Sequence, residues 1–327
     1  MALFGNNYER ASSGIAKNTP KKKGFFRYWE IFWRKFWKLI ELNLEYSCFF
    51  LPLLAAVVVF FIESISTNVA VVLIIAFAIL FAILIGPATA AFTKILKNFY
   101  MEKPTFVVHD FFQTLKLEFK HALPIGIIDC ILVCSIASAF YVYPELIDQL
   151  GSKIYYVFFA ITLSVGLIAL LMNFYIFPMM ISTTLSMKNV LKNSLALAIV
   201  ALKKNVVTLL ILAAVVAVYG VILFFVPLQY AIILFFLLPF FPAAWLGLMV
   251  VLQCYPIIQK YIINPYYEQK GEMNPELNIP ETDEEETVFE DMGGKEKPIE
   301  PKKKAGGKSS KSGGSGAAKG HKGKIIS

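Results

Sequence analysis

The sequence predicts an all-α, polytopic membrane protein with six transmembrane helices arranged as three hairpins, and composition is the first reason. Hydrophobic residues make up 57% of the chain and charged residues 17%, against about half and a quarter in soluble domains. The apolar residues form six long runs, each near the roughly 20 residues that a helix needs to cross the bilayer. Lys and Arg are concentrated in alternate loops. These observations disfavour a soluble globular protein.

The six apolar runs define the predicted spans. We expect helices in all of them, because a backbone amide inside lipid must find its hydrogen bond within its own segment. The spans are Leu39–Ile62, Val69–Phe92, Leu123–Tyr143, Ile154–Ile181, Val206–Val226 and Tyr230–Ile258.

The distribution of Lys and Arg predicts the orientation. Nine precede the first span, and the five loops that follow hold none, five, one, four and none; the remaining twelve follow the last span. Since basic loops stay in the cytoplasm, both termini are predicted to be cytoplasmic, in a protein of the plasma membrane. The net charge of +8 then reflects this topology and contact with anionic lipid, and nucleic acid is disfavoured as a partner.

Four regions follow from this pattern. Residues 1–24 are predicted to be a disordered basic N-terminus without a secretory signal. Residues 25–38 are predicted to form an amphipathic helix at the cytoplasmic interface, and residues 39–263 the six-helix domain. Residues 264–327, acidic and then rich in Lys, Gly and Ser, are predicted to be a disordered cytoplasmic tail.

The interfacial helix has aromatic residues on one side and charged residues on the other. Trp29, Trp33 and Trp37 are spaced by four residues, which places them on one face of a helix. Tryptophan is typical of the headgroup region, so these three residues are the predicted membrane anchors. Docking onto a partner protein is the alternative for this face.

A threefold pattern also emerges. Each returning span carries a proline near its cytoplasmic end, namely Pro87, Pro178 and Pro256. A polar stretch that we expect to be helical follows each one, at Thr93–Tyr100 with Asp110–His121, at Met187–Lys204, and at Gln259–Gln269. Repeats are common in membrane folds, so the hairpins are three candidate copies of one unit.

The segment Gly86-Pro87-Ala88-Thr89 is a candidate for close packing or for function. Its small residues let a neighbouring helix approach closely, and Thr89 or a water molecule could bond the carbonyl that Pro87 frees. A broken helix that offers backbone groups to a solute is the alternative. Packing is favoured, because small-residue interfaces are common in lipid.

Polar residues inside the spans are further candidates. Asp129 lies in span three, where an ionised carboxylate costs about 2.5 kcal/mol or more at the helix centre. His121, two turns earlier, is a candidate partner, and the carboxyl is either functional or an interhelical hydrogen-bonding group. Asn173 in span four is expected to join helices, and Pro178 marks a kink.

No catalytic, metal or cofactor site is predicted. The four cysteines lie in predicted spans without a CxxC motif, which favours small apolar side chains over ligands. The chain has no HExxH, GxSxG or GxGxxG motif, so a non-enzyme is expected, and GGKSS at 306–310 lacks the first glycine of a phosphate-binding loop.

Several segments together resemble the YesL family of bacterial integral membrane proteins, which are built around a domain of unknown function. The most specific one is Gly-Pro-Ala-Thr-Ala-Ala at 86–91. The others are Phe25–Tyr28, Leu42–Leu44, Leu51-Pro52, Phe111-Phe112, Phe119-Lys120, Phe177-Pro178 and Leu191–Ser194. In that family the Leu-Pro and Gly-Pro-Ala-Thr elements lie close together, whereas about thirty residues separate them here, enough for an additional crossing.

The resemblance implies an accessory role in carbohydrate uptake. A non-catalytic accessory or regulatory protein, with sugar-transporter components or a membrane sensor as partners besides the lipid bilayer, is the first hypothesis. A small-solute transporter or channel that uses broken helices and Asp129 is the second. A membrane-bound enzyme is a weaker third.

Overall fold

The computed structural model describes residues 24–62, 66–227, 242–272, 274 and 276, and every regular element in these ranges is helical. This confirms the all-α fold class. The helices are α1 Phe25–Arg34, α2 Phe36–Cys48, α3 Leu51–Phe61, α4 Thr67–Tyr100, α5 Val107–Leu150, α6 Ile154–Ser182, α7 Met187–Val200, α8 Leu202–Phe225, α9 Pro242–Ile258 and α10 Asn264–Lys270, with a π-helical turn at Gln259–Ile263 between α9 and α10.

Five of these segments are long and apolar enough to cross a membrane. They are α4, α5, α6, most of α8, and the continuous stretch Ala243–Lys270; α2 and α3 together make a sixth if the bent pair counts as one span. Large apolar side chains cover the outside of these helices, and a surface of that size needs lipid around it. The chain is therefore a multi-pass membrane protein with five or six spans.

The first predicted span, Leu39–Ile62, is not one helix. The chain leaves the helical path at Phe49-Phe50, and the axes of α2 and α3 differ by 51°. Pro52 explains the break, because a proline ring clashes with the carbonyl four residues earlier, here that of Cys48. The segment predicted as an interfacial helix, 25–38, is divided between two helices, since α1 ends at Arg34 and α2 begins at Phe36.

Span three and the preceding polar helix are one element. α5 runs without interruption from Val107 through Pro124 and Pro144 to Leu150. Its 44 residues extend about 66 Å at 1.5 Å per residue, roughly twice the hydrocarbon thickness. The predicted start at Leu123 therefore marks where the helix becomes apolar rather than where it begins.

Basic residues of α1 and of the first turn of α2 contact the end of α4 and the α4–α5 connection at one end of the bundle. We call this end the basic end (α1, residues 97–105 and residues 264–276). Arg27 donates to the carbonyl of Tyr100 at 3.1 Å, and Lys38 to that of Thr105 at 2.8 Å. Arg34 lies 3.4 Å from the Glu102 carboxylate. The charged side of α1 thus contacts other parts of the protein and is also the polar face of the helix.

The buried core occupies the half of the bundle nearest this end. In α4 the buried residues begin at Gly86 and continue to Phe99, and in α6 most lie between Leu171 and Ser182. α1 contributes Ile31 and Phe32, with the Phe32 ring 6.5 Å from Trp245. Helices α4, α5 and α6 leave this core toward the opposite end, where apolar side chains are exposed.

The described chain stays helical beyond the predicted boundary at residue 264. Helical structure continues through α10 to Lys270, Gly271 turns the chain with φ 69°, and Glu276 is buried. The change in composition hides this because Asn264–Lys270 is polar yet anchored by the buried Tyr267. The predicted disordered segments 1–23 and 277–327, and the first part of span six at 230–241, lie outside the described residues.

Pro87, Pro178 and Pro256 all lie inside helices, and the polar stretches after them are largely helical. Equivalence of the three hairpins stays a prediction.

Candidate functional site

Asp129 and Asn173 meet in the apolar part of the bundle. Asn173 Nδ2 on α6 donates to Asp129 Oδ1 on α5 at 2.7 Å. The predicted alternative partner His121 lines a different cavity. The structure thus pairs two residues that the sequence singled out separately. The amide oxygen Asn173 Oδ1 is buried with no hydrogen-bond partner among the described residues.

A second polar pair lies beside the first. The hydroxyls of Tyr46 and Thr89 are 2.9 Å apart, and Thr89 also donates to the carbonyl of Ile85 at 2.8 Å. Because a threonine hydroxyl carries one hydrogen, Tyr46 must be the donor toward Thr89. The break after α2 follows Tyr46 directly, so the end of α2 brings this phenol to α4.

These pairs line a cavity of about 290 Å³, which we call the Asp129 cavity. Its wall is mainly apolar, and a few polar groups converge on it, as in most small-molecule sites. The predicted site residues Thr89, Asp129, Asn173 and Pro178 all line it. The full lining is Tyr46, Thr89, Phe92, Thr93, Leu96, Asp129, Asn173, Phe174, Phe177, Pro178, Gly247, Val250 and Val251.

Gly86, Pro87 and Ala88 serve a neighbouring helix contact and are all buried. A Cβ on Gly86 would collide with the carbonyl oxygen of Ala122, and a Cβ on Gly126 would lie 2.6 Å from the Gly86 Cα. α4 and α5 therefore touch through their backbones, as small-residue interfaces allow.

The helices that carry Pro87 and Pro178 are unbroken, so the predicted broken helices at these positions are not observed. Thr89 bonds the Ile85 carbonyl, whereas the carbonyl that a proline at position 87 frees belongs to Ile83. The side chain of Ser182, the last residue of α6, donates to the carbonyl of Pro178 at 2.6 Å. The break in this region lies instead between α2 and α3.

A larger polar cavity of about 530 Å³ opens at the basic end between α4, α5 and the α6–α7 connection. His121, Lys94 and Gln113 are among its lining residues. Asp110 also lines it and accepts a hydrogen bond from the Phe106 amide at 3.1 Å, which ties this carboxylate to the start of α5.

No group of three or more His, Cys, Asp or Glu side chains gathers in the described ranges in a way that could hold a metal ion. The four cysteines are free thiols, with Cys254 buried and Cys48 and Cys134 exposed on the apolar surface.

A further buried cluster at the basic end was not predicted. Lys97 Nζ lies 3.0 Å from Glu276 Oε1, and both side chains are 2% exposed. The Tyr255 hydroxyl donates to Glu276 Oε2 at 2.5 Å. In the sequence, Lys97 is one of the five basic residues between the second and third predicted spans, and Glu276 lies in a segment whose composition indicates disorder.

The predicted membrane anchors divide into two kinds. Trp33 and Trp37 are 66% and 79% exposed, whereas Trp29 packs against the core. The rings of Trp29 and Trp33 stack with their centroids 6.2 Å apart. Trp33 and Trp37 thus form an exposed aromatic face. This face continues from the part of α1 that packs against the core.

The chain is similar to one protein family over residues 48–142, where it matches the family model described as "Protein of unknown function, DUF624". This stretch runs from the end of α2 to the apolar part of α5, and includes Gly86–Thr89 and Asp129 but not Asn173 or Pro178. Searches of the curated proteins and of the solved structures give no match.

Proposed function

We propose that this chain is a non-catalytic accessory or regulatory protein of the plasma membrane that associates with carbohydrate-uptake components. The observation that carries the proposal is how the intramembrane polar groups are used. Tyr46 bonds Thr89 and Asp129 bonds Asn173, so these groups join α2 to α4 and α5 to α6. They hold a bundle together around one small cavity, which fits a scaffold better than a catalyst.

The proposed partner class rests on the resemblance to the YesL family, to which the match with a domain of unknown function adds support. Members of that family tend to be encoded near carbohydrate uptake and utilisation genes. The exposed aromatic face of α1 supplies a surface at the membrane interface for either lipid or such a partner.

The proposed orientation has the basic end and both termini in the cytoplasm. Its support is the concentration of Lys and Arg before the first predicted span, between the second and third, and between the fourth and fifth, because positively charged loops are retained inside. Contact of these segments with anionic lipid follows from the same charges.

Site-specific crosslinking tests the accessory role. A photoreactive phenylalanine analogue replaces Trp33 in the full chain, and the protein is irradiated in native membranes, purified and examined by mass spectrometry. The matched control places the analogue at Phe224, which is 83% exposed at the opposite end of the bundle. Sugar-transporter subunits or a membrane sensor crosslinked at position 33 and not at 224 support the proposal; lipid or the chain alone at both positions contradicts it.

A small-solute transporter is the second candidate, and the Asp129 cavity favours it. A carboxylate and the free acceptor Asn173 Oδ1 both line a space large enough for a small polar molecule. Intramembrane acids commonly mark solute or proton paths.

Flux into liposomes separates the two candidates. Asp129→Asn removes the charge and keeps an oxygen that accepts from Asn173, while Asp148→Asn alters an exposed acid on the same helix. A transporter should lose at least tenfold in flux with the first variant and nothing with the second. Equal flux in both variants counts against transport through Asp129.

A further inference from the structure

The Glu276 carboxylate occupies a buried site at the basic end, in which Oε1 is ion-paired and Oε2 accepts hydrogen bonds. Oε1 lies 3.0 Å from Lys97 Nζ and 3.8 Å from Lys103 Nζ. Oε2 accepts from the Tyr255 hydroxyl at 2.5 Å and from Gln259 Nε2 at 3.3 Å. Charge-assisted contacts of this kind are the ones with which proteins bind carboxylate ligands.

The groups around the carboxylate come from the helical bundle rather than from the segment that carries Glu276. Lys97 is on α4, Tyr255 is on α9, and Gln259 opens the π-helical turn after α9. The ring of Tyr255 is fully buried and lies 5.0 Å from Lys97 Nζ. π-Helical turns are frequent at functional sites, and this one presents the Gln259 amide to the carboxylate.

Glu276 itself lies outside the helices. The chain turns at Gly271 beyond α10, and Asn274 braces the return by donating to Asn264 Oδ1 at 2.9 Å and accepting from the Glu276 amide at 2.9 Å. The occupant of the site is therefore carried by a short, irregular segment, while the site is built by α4, α9 and the π-helical turn after α9.

A buried ammonium group needs an anion next to it, because an unpaired charge in a low-dielectric interior is strongly unfavourable. Lys97 is 2% exposed, so loss of Glu276 leaves a positive site with a hydroxyl and an amide donor already in place. A single planar carboxylate matches this buried cation and the two neutral donors, with the more exposed Lys103 at the edge of the site.

We propose that Lys97, Tyr255 and Gln259 form a binding site for a small monocarboxylate anion, which the chain's own Glu276 fills in the structure described. The site is separate from the Asp129 cavity and does not depend on the accessory role. A free carboxylate enters when the Glu276 side chain is absent or withdrawn.

Chemical rescue of Glu276→Ala with acetate tests the proposal on the full chain in one detergent. We expect the variant to melt below the wild type, and acetate to raise its Tm saturably by about 4 °C or more over chloride at the same ionic strength. Acetate should not raise the Tm of the wild type, whose site is filled, or of Glu272→Ala, which removes an exposed acid from the same segment.

The double variant Lys97→Met/Glu276→Ala identifies the site. It should not respond to acetate, because the cation that attracts the anion is gone. An equal response in the double variant, or no difference between acetate and chloride in Glu276→Ala, overturns the proposal, and a phosphate response larger than the acetate response overturns the assigned ligand class. If Glu276→Ala does not fold in chloride, its monodisperse yield in acetate is measured instead, and yields equally poor in both salts overturn the proposal.

Discussion

Gly86 and Gly126 face each other where α4 and α5 touch, and each position excludes a Cβ because the partner's backbone fills the space. Gly220 on α8 provides the contrast, since nothing lies within 4 Å of the position its Cβ would take. Packing thus requires glycine at positions 86 and 126, whereas no neighbouring atom requires it at position 220.

Gly86→Ala should destabilise the protein by about 1–3 kcal/mol, the usual cost of overpacking, because α4 must move away from the Ala122 carbonyl. Gly220→Ala should leave stability unchanged or raise it by roughly 0.5–1 kcal/mol, since alanine favours a helix. Thermal melts of both variants in one detergent make the comparison. Equal melting temperatures would show that the α4–α5 contact is looser than described.

Residue by residue, the sequence predicted those site members whose chemistry is unusual for their surroundings. Asp129 and Asn173 stand out in apolar runs, as Thr89 does beside a Gly-Pro pair. Tyr46 does not stand out, because a tyrosine in an apolar helix is ordinary and its hydroxyl bond to Thr89 requires the break after α2. Glu276 was missed for a different reason: its partner Lys97 is distant in sequence, and charge pairing across the fold leaves no local pattern.

At the scale of elements, the Asp129–Asn173 bond is the shorter of two side-chain hydrogen bonds between α5 and α6 in the described part of the chain, the other joining Tyr143 and Thr162 at 3.4 Å. Asn173→Leu removes the donor and leaves the carboxyl in an apolar setting, so we expect a loss of about 1–2 kcal/mol. The double variant Asp129→Leu/Asn173→Leu should recover part of this loss. We expect a coupling energy of about 0.6 kcal/mol, the average for such bonds in membranes, and at most about 1.7 kcal/mol. Ser164→Ala is the control, since that exposed hydroxyl bonds only its own helix. Additive losses in a double-mutant cycle would contradict the Asp129–Asn173 bond.

The segment after α10 should be sensitive to acid. Burial raises the pKa of the Glu276 carboxyl. Lys97, the Tyr255 hydroxyl and Lys103 together lower this pKa by a larger amount, so it lies below the ordinary 4.5. A depressed carboxyl pKa stabilises the fold above the unfolded pKa, and the stabilisation is lost as pH falls through the folded value.

The wild type should therefore melt above Glu276→Gln near pH 6, by a difference of about 3 kcal/mol in stability. The gap should narrow as the pH is lowered below about 4.5. Glu272→Gln, an exposed neighbour, should follow the wild type at each pH. A gap that stays constant between pH 6 and pH 4 would indicate that the charge of Glu276 does not hold the segment.

Element boundaries were less predictable than element type. Hydropathy locates where a helix becomes apolar, so it placed the start of α5 at Leu123 when the helix begins at Val107. Hydropathy also does not detect the break at Pro52, since the apolar run continues across the residues between α2 and α3. α10 ends later than the apolar run because Tyr267 anchors a polar helix by one buried ring.

For the whole molecule, the alternation of basic and neutral loops corresponds to a physical asymmetry. Arg27, Arg34 and Lys38 contact the α4–α5 connection, so separate basic segments lie at the same end. The core is concentrated in that half. Which side of the membrane this end faces depends on retention of positive charge, and labelling from outside the cell measures it directly.

Four single cysteines in a chain without its native cysteines test the proposed orientation. Ser66→Cys and Ser152→Cys lie next to the starts of α4 and α6 at the end away from the basic end, while Lys116→Cys and Lys188→Cys lie at exposed positions on α5 and α7 near the basic end. A membrane-impermeant maleimide should label positions 66 and 152 in intact cells, and positions 116 and 188 only after permeabilisation. The physical reason is that a span with lysines on one flank inserts with that flank inside.

Labelling of positions 116 and 188 in intact cells would indicate the opposite orientation, with the carboxylate site of Lys97 on the outside of the cell. Labelling of all four positions in intact cells would contradict a single fixed orientation.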